Sequence, residues 1–401
     1  MRCRCLSVII FMLLLALPFF AVLENGVAQS ESSLKTAGKY VPHSPIFIGN
    51  NTDFVPANGV VSGNGTEENP YIIENWEIDA SGMGYCICIE NTTAHFVIQN
   101  CKLWNATDGT MPGDKFGILL RNVMNGTILN TDCSNNDVGI RIERSYDIII
   151  SNSACIRNYI IGIDIFEPGN NLRIEGNNCS QTLLGEGIII CETISNSSHA
   201  TCTITNNICW ENCGAMWLIG VENYTIASNN CSDRILLHYS NDTTIVNNFA
   251  DGIVLAGSTN ITVRNNSFRN YGITISGEYI DWITHTIENN TVCGKPIYYY
   301  KKQYSGGSVP SDAGQVILAN CAHMNISNFN FTGTSIPIQL GFSCYTNITN
   351  NSCYNNSLDG IFLFCSSVMS TDIGNTVALG RNTTDTHMIA LVVIPISKFW
   401  Q

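Results

Sequence analysis

A repeat of about 22 residues begins near residue 84 and continues through most of this 401-residue chain. A period in that range constrains the fold before any local propensity does. Each unit opens on glycine and an alternating apolar pair: Gly117-Ile-Leu-Leu, Gly139-Ile-Arg-Ile, Gly162-Ile-Asp-Ile, Gly187-Ile-Ile-Ile, Gly252-Ile-Val-Leu, Gly272-Ile-Thr-Ile and Gly360-Ile-Phe-Leu. Each closes on an apolar residue, a polar turn that is often Asn-Asn, and usually cysteine, as in Ile128–Cys133, Ile150–Cys155, Ile174–Cys179, Ile204–Cys209, Ile226–Cys231 and Ile348–Cys353.

Counting back 13 and 15 residues from the closing residue lands on two apolar opening positions. Cys133 gives Leu120 and Ile118, Cys155 gives Ile142 and Ile140, and Cys231 gives Leu218 and Met216; the same count from Cys101 gives Cys88 and Cys86. Two inward residues with one between them is strand periodicity. One such coil cannot bury its apolar face alone, so coils must stack. The expected fold is all-β: a single-stranded right-handed parallel β-helix (solenoid) of roughly a dozen coils of ~22 residues. Asn tolerates the left-handed conformation at the bends and bonds local backbone, so stacked Asn amides should form a ladder along one edge.

Net charge is −13 with no Lys/Arg cluster, which argues against nucleic acid as a partner. Residues 1–30 read as a signal peptide: Arg2 and Arg4 precede an apolar run, Leu6–Leu23, and Val27-Ala28 supplies small residues for cleavage. An uncleaved leader would be an N-terminal anchor; no other transmembrane segment is expected. The chain is therefore expected to be secreted or held at the cell surface. About eighteen Asn-x-Ser/Thr sequons follow Ala28; those at Asn265, Asn289 and Asn350 are expected to point into stacked turns and stay bare. Stacked cysteines such as Cys133/Cys155 and Cys209/Cys231 would have parallel Cβ vectors about 4.8 Å apart, beyond disulfide reach, and read as core thiols. Cys191 with Cys202 is the better disulfide candidate.

Residues 31–70 carry loop signals and are expected to lead into and cap the helix. The β-helix is expected over 71–385, with a Tyr-rich hairpin insertion at about 295–314, and 386–401 as a final strand or cap. The position between the two inward residues should face solvent, yet it reads Leu119, Arg141, Asp164, Ile189, Trp217, Leu236 and Val254 along successive coils.

Glycoside hydrolysis needs carboxylates converging about 5–10 Å apart, and a lyase needs an Arg or Lys base beside carboxylates. If the chain is a polysaccharide lyase or glycoside hydrolase, Arg141, Glu143, Asp164 and Glu192 on neighbouring coils are its candidate catalytic residues, although Ile189 and Trp217 dilute them. Asn130-Thr131-Asp132 matches the first of the four phrases of the pectin-hydrolase pattern, and the other three are absent. The seven His are scattered without metal-ligand spacing. Ca²⁺ and Cu are the cations to consider, but no motif supports either, so no cofactor and no metal ligand is assigned.

Gly65-Thr66, Asn69-Pro70-Tyr71-Ile-Ile-Glu-Asn, the Gly-Ile-x-Ile coils, and Gly294-Lys-Pro-Ile-Tyr-Tyr with Ala313-Gly-Gln-Val-Ile-Leu-Ala-Asn-Cys321 resemble archaeal surface proteins of the NosD-like parallel β-helix repeat family, over about residues 60–380. The family's name comes from a periplasmic copper-binding protein, and its repeats are shared with carbohydrate-binding proteins and sugar hydrolases. No copper-ligand motif of the namesake is recognisable here. The resulting expectation is a cell-surface module that binds polysaccharide or glycoprotein, or serves structurally. Sugar would stack on Trp217, Tyr298, Tyr299, Tyr300 and Tyr304.

Overall fold

The structure, a computed structural model, describes residues 40–107, 115–192, 201–366, 368–370, 375–379 and 390–392. The expected leader at 1–30 and most of the C-terminal segment lie outside them. Among the described residues no helix is long and apolar enough to cross a membrane.

The chain forms a parallel β-solenoid of about 13 turns. Each coil of the larger part contributes residues to three rows that point inward. The front row runs through pairs such as Ile118/Leu120, Ile140/Ile142, Ile163/Ile165, Ile188/Ile190, Met216/Leu218, Ile235/Leu237 and Ile253/Leu255, all fully buried. A second row is Ile98, Ile128, Ile150, Ile174, Ile204, Ile226, Ile245 and Val263, and a third is Cys101, Cys133, Cys155, Cys179, Cys209, Cys231, Ala250 and Phe268. Parallel pairing keeps the register coil after coil: Arg141 sits beside Leu119 on one side and Asp164 on the other. The first coil departs by one position. Its inward pair is Ile87/Ile89, aligned with Ile46/Ile48 and Ile118/Leu120, so Cys88 faces outward rather than inward. With a period of two, a single-residue difference in turn length moves a strand's side chains to the opposite face.

The Asn-Asn pairs divide their labour. The first residue takes the left-handed conformation at the bend, as Asn206, Asn247, Asn265 and Asn289 do with φ of 55–57°. The second, as at Asn207, Asn248, Asn266 and Asn290, is buried and builds the ladder; at Asn177 and Asn229 the ladder residue is the first of its pair and the bend falls on Gly176 and Ser228. Asn177 N donates to Asn207 Oδ1, Asn207 N to Asn229 Oδ1 and Asn229 N to Asn248 Oδ1, each at 2.9 Å. Asn248 N donates to Asn266 Oδ1 at 2.8 Å, and Asn266 N to Asn290 Oδ1 at 3.0 Å. Each amide Nδ2 also donates to a backbone carbonyl, as Asn248 does to Ile226 O at 2.9 Å. Asn265, Asn289 and Asn350 are therefore exposed outer residues, not buried ones as the sequence suggested. Cys191 and Cys202 both remain thiols. Cys202 points into the core at 1% exposure, whereas Cys191 is the half-buried last residue of its strand.

The expected continuous helix divides in two. Thr291–Val292 and Lys295–Lys301 form an antiparallel hairpin, after which Lys295–Lys301 pairs in parallel with Gln315–Ala319. Tyr298–Tyr300 thus lie in the first strand of a second stack rather than in a protruding hairpin. That stack continues through Ile338–Gly341, Ile361–Phe364 and Ala390–Val392 and has its own core of Val316, Leu318, Ile326, Phe331, Ile338, Leu340, Ile348 and Leu363. Its outward residues Ile317 and Ala319 belong to the core of the first stack. A short helix, Tyr279–Ile283, packs Trp282 into this junction, stacked on Phe364 with ring centroids 6.1 Å apart.

Candidate functional site

The residues singled out from sequence fall into separate environments. Arg141, Glu143 and Asp164 join one ion network on the front face. Arg121 binds Glu90 and Glu143 at 2.7 Å each, Arg141 reaches Glu143 at 3.0 Å, and Arg141 also pairs with Asp164. Burial alone would raise the Glu143 carboxyl, but Arg121 and Arg141 outweigh it and hold it below the ordinary range. Asp164, 8% exposed, stays raised by burial despite Arg141. Ion pairs of this kind brace the sheet. Glu192 lies beyond the strand end, away from that network. Burial pushes it up to about 7, while the Tyr224 hydroxyl donates to Oε1 at 3.4 Å.

The aromatic candidates do not gather either. Trp217 lies half-buried between Ile189 and Leu236, its Nε1 donating to His238 Nδ1 at 3.2 Å. Tyr298 and Tyr300 stack at 6.3 Å beside the second core, Tyr299 packs into the junction with its hydroxyl on Trp282 O, and Tyr304 is 57% exposed. A depression of about 300 Å³ lined by Thr92, Asn122, Met124 and Tyr146 has one charged lining residue, Arg144, itself paired with Glu167.

The chemistry converges elsewhere, at the corner between the third row and the front face. Seven positions separate Cys133 from Ile140 and Cys209 from Met216, eight separate Cys155 from Ile163, and nine separate Cys179 from Ile188. Then four separate Cys231 from Ile235 and three separate Ala250 from Ile253, before five separate Phe268 from Ile273. The corner segments are shortest over two coils, and the step between them and the longer corners is the candidate recess. Glu186 pairs with Gly214, and the register Met216–Ile235–Ile253 continues that row through Asp233 and Asp251. Three carboxylates thus line one edge, with a glycine in the gap. A Cβ on Gly214 would stand 3.1 Å from Glu186 Cγ, so the Glu186 side chain lies across the glycine on the side of Asp233.

Two arginines and three aromatic side chains complete the recess. Arg234 binds Asp233 at 3.1 Å and lies 5.0 Å over the Tyr271 ring. Arg269 sits 5.3 Å from Trp210 and 5.6 Å from Phe249, and its Nε is buried without an acceptor. Asn270 donates to Asp251 at 3.0 Å. Burial, then repulsion from Asp233 and Asp164, push Glu186 up to about 7 against the pull of Arg234. Asp251 is raised by burial, with Asn270 opposing. The recess therefore sets a carboxyl that titrates at about 7 beside an ion-paired one, flanked by cations and aromatic faces. Sequence reading missed it because its members fall between the periodic inward positions: Trp210, Asp233 and Arg234 lie outside strands, and Glu186, Asp251, Arg269 and Tyr271 are strand residues that precede the front pair. The signal was there in the shortened interval from Cys231 to Ile235 and from Ala250 to Ile253.

Among the described residues no group of three or more His, Cys, Asp or Glu is placed to hold a metal ion.

A right-handed parallel β-solenoid is the class that these observations define. The family model for the right-handed beta helix region matches residues 58–232 and 235–384, and the chain belongs to that family. Among solved structures it is similar to the Dettilon tailspike protein (12% identity, TM-score 0.29), covering 84% of this chain and 61% of that one. It is also similar to the periplasmic alginate epimerase AlgG (12%, TM-score 0.25, 84% of each chain). A third is the catalytic domain of a GH87 alpha-1,3-glucanase D1069A in complex with tetrasaccharides (11%, TM-score 0.27, 88% and 70%). No curated protein sequence matches. Likeness at this level carries nothing about this chain's chemistry.

Proposed function

We propose that this protein binds a polysaccharide in the recess between Trp210 and Tyr271. The observation carrying this reading is the combination of Trp210, Phe249 and Tyr271 with Arg234, Arg269 and three carboxylates in one cut-back corner. Sugar rings present C–H faces for aromatic stacking and hydroxyls for carboxylates and guanidinium groups. Export to the cell surface and kinship with the NosD-like proteins belong to the same proposal. The test is retention of the purified chain on a panel of immobilised polysaccharides, with Trp210→Ala as control. Retention of the wild type and a tenfold or greater loss in the variant support the reading; equal retention of both removes the recess from it.

One observation favours a second reading, glycosidic hydrolysis at the same place. Glu186 and Asp233 stand two rungs apart, about 10 Å between Cα atoms, and the lean of Glu186 over Gly214 shortens that distance toward the ~6.5–9.5 Å of an inverting pair. Glu186 would protonate the leaving glycosidic oxygen as the C–O bond breaks. Asp233 would take a proton from the water that attacks the anomeric carbon. New reducing ends made by the wild type and lost in Glu186→Gln support this; binding without new ends discards hydrolysis and leaves the binding proposal standing.

A further inference from the structure

A β-solenoid presents an unpaired strand edge at its last coil, a template for any further strand. In the front sheet of the first stack that edge is the Tyr271–Ser276 part of the strand Ser267–Ser276, which pairs on one side with Phe249–Ala256 and on the other only through Ser267 and Phe268, with Thr291–Val292. In a parallel ladder, alternate residues direct both N–H and C=O to the same neighbour. Here Tyr271, Ile273 and Ile275 face the side where no further coil of the first stack covers them.

Those groups are answered by side chains of the second stack. Gln315 Oε1 accepts from Ile273 N at 2.9 Å, and Gln315 Nε2 donates to Ile273 O at 2.8 Å. Gln339 Nε2 donates to Ile273 O at 2.6 Å, and its Oε1 accepts from Ile275 N at 3.3 Å. Thr334 and Ser335 hydroxyls donate to Tyr271 O at 2.9 and 2.7 Å. Gln315 and Gln339 are fully buried at outward positions of their strands, where the first stack's strands carry partly exposed residues such as Arg141 and Trp217. The approach depends on Gly272: at φ 74° a Cβ there would be 2.6 Å from Gln315 Oε1.

We propose that the second stack is a strand-mimicking plug, in which the Gln315 and Gln339 amides occupy the hydrogen-bonding positions of a missing coil and keep a second copy of this chain from adding to the end of the first stack. A primary amide offers one N–H side and one C=O side, as a peptide unit does. It can satisfy the edge without extending the sheet, so the template ends there. Ile317 and Ala319 add apolar contact, and Trp282 fills the junction against Gly341.

Two measurements on the full chain test this. In the wild type, hydrogen exchange at Ile273 and Ile275 should be within about tenfold of that at Ile253 and Leu255, which lie in an interior coil; fast exchange at the edge amides overturns the proposal. The double variant Gln315→Met/Gln339→Met keeps the side-chain volume and removes the mimicry. Edge exchange should then rise at least tenfold over the interior coil, and the mass from light scattering should climb with concentration as copies join end to end. Should that variant fail to fold, Gly272→Ala displaces Gln315 alone and should produce the same pair of changes. A monomer at every concentration, with edge amides still protected, contradicts the plug.

Discussion

The side chain of Glu186 lies across Gly214, close enough that a Cβ on the glycine would meet Glu186 Cγ at 3.1 Å. That one missing side chain lets a buried carboxyl lean along the row toward Asp233. Gly214→Val should therefore push Glu186 outward and return its titration from about 7 toward the ordinary glutamate value. Carbon-detected NMR of the Glu186 carboxyl follows this directly. An unmoved titration would mean that Gly214 does not set the position of Glu186.

The raised carboxyls also give the fold a pH dependence. Unfolded, Glu186 and Glu192 titrate near 4.5; folded, each titrates at about 7. The native state binds the extra protons between those values, so their contribution is complete below about pH 4.5 and is lost as pH rises through about 7. Each is worth on the order of 1–2 kcal/mol after solvent screening. Denaturant midpoints measured from pH 4.5 to 8 should fall across that window, and Glu186→Gln/Glu192→Gln should flatten the fall.

Neighbouring asparagines should behave differently. Asn248 holds a ladder position, donating to Ile226 O and accepting from Asn229 N. Its replacement by Ala strands buried groups and should cost roughly 2–4 kcal/mol. Asn247 is a left-handed bend residue at φ 57°; Asn247→Gly should cost a few tenths of a kcal/mol at most, because glycine adopts that conformation freely. Urea unfolding of the two variants makes the comparison.

Much of the fold is legible because periodicity reports directly on burial. The outward row Leu119, Arg141, Asp164, Ile189, Trp217, Leu236, Val254 is the paired register of the structure. Reading failed where the period is interrupted. One position of slip moves Cys88 to the outward register beside Leu119, where it is still buried, and the Lys295–Lys301 strand looks like an insertion because its pairing partner, Gln315–Ala319, follows an irregular segment. The recess is harder still. Its carboxylates are 47 and 18 positions apart (186 to 233, 233 to 251), and only the registered stacking of turns of unequal length makes them neighbours.

The thiols supply a further check. Cys133, Cys155, Cys179, Cys209 and Cys231 are fully buried in adjacent coils, while Cys213 and Cys293 are exposed. Burial raises Cys133, and hydrogen bonding along the thiol ladder together with burial raises the other four well above the ordinary thiol value. A water-soluble thiol reagent with mapping by mass spectrometry should label Cys213 and Cys293 in the native protein and reach the ladder only on unfolding. Native labelling of the ladder would contradict the packed core.

The central claim, that the recess is where polysaccharide is held, is tested most directly by hydroxyl-radical footprinting of the full chain with and without a retained polysaccharide. Protection concentrated at Trp210, Phe249 and Tyr271, with Trp217 and Tyr304 unchanged, is the predicted result. Protection at Trp217 or Tyr304 with none at Trp210 and Phe249 would contradict it and move recognition to the front face or the second stack.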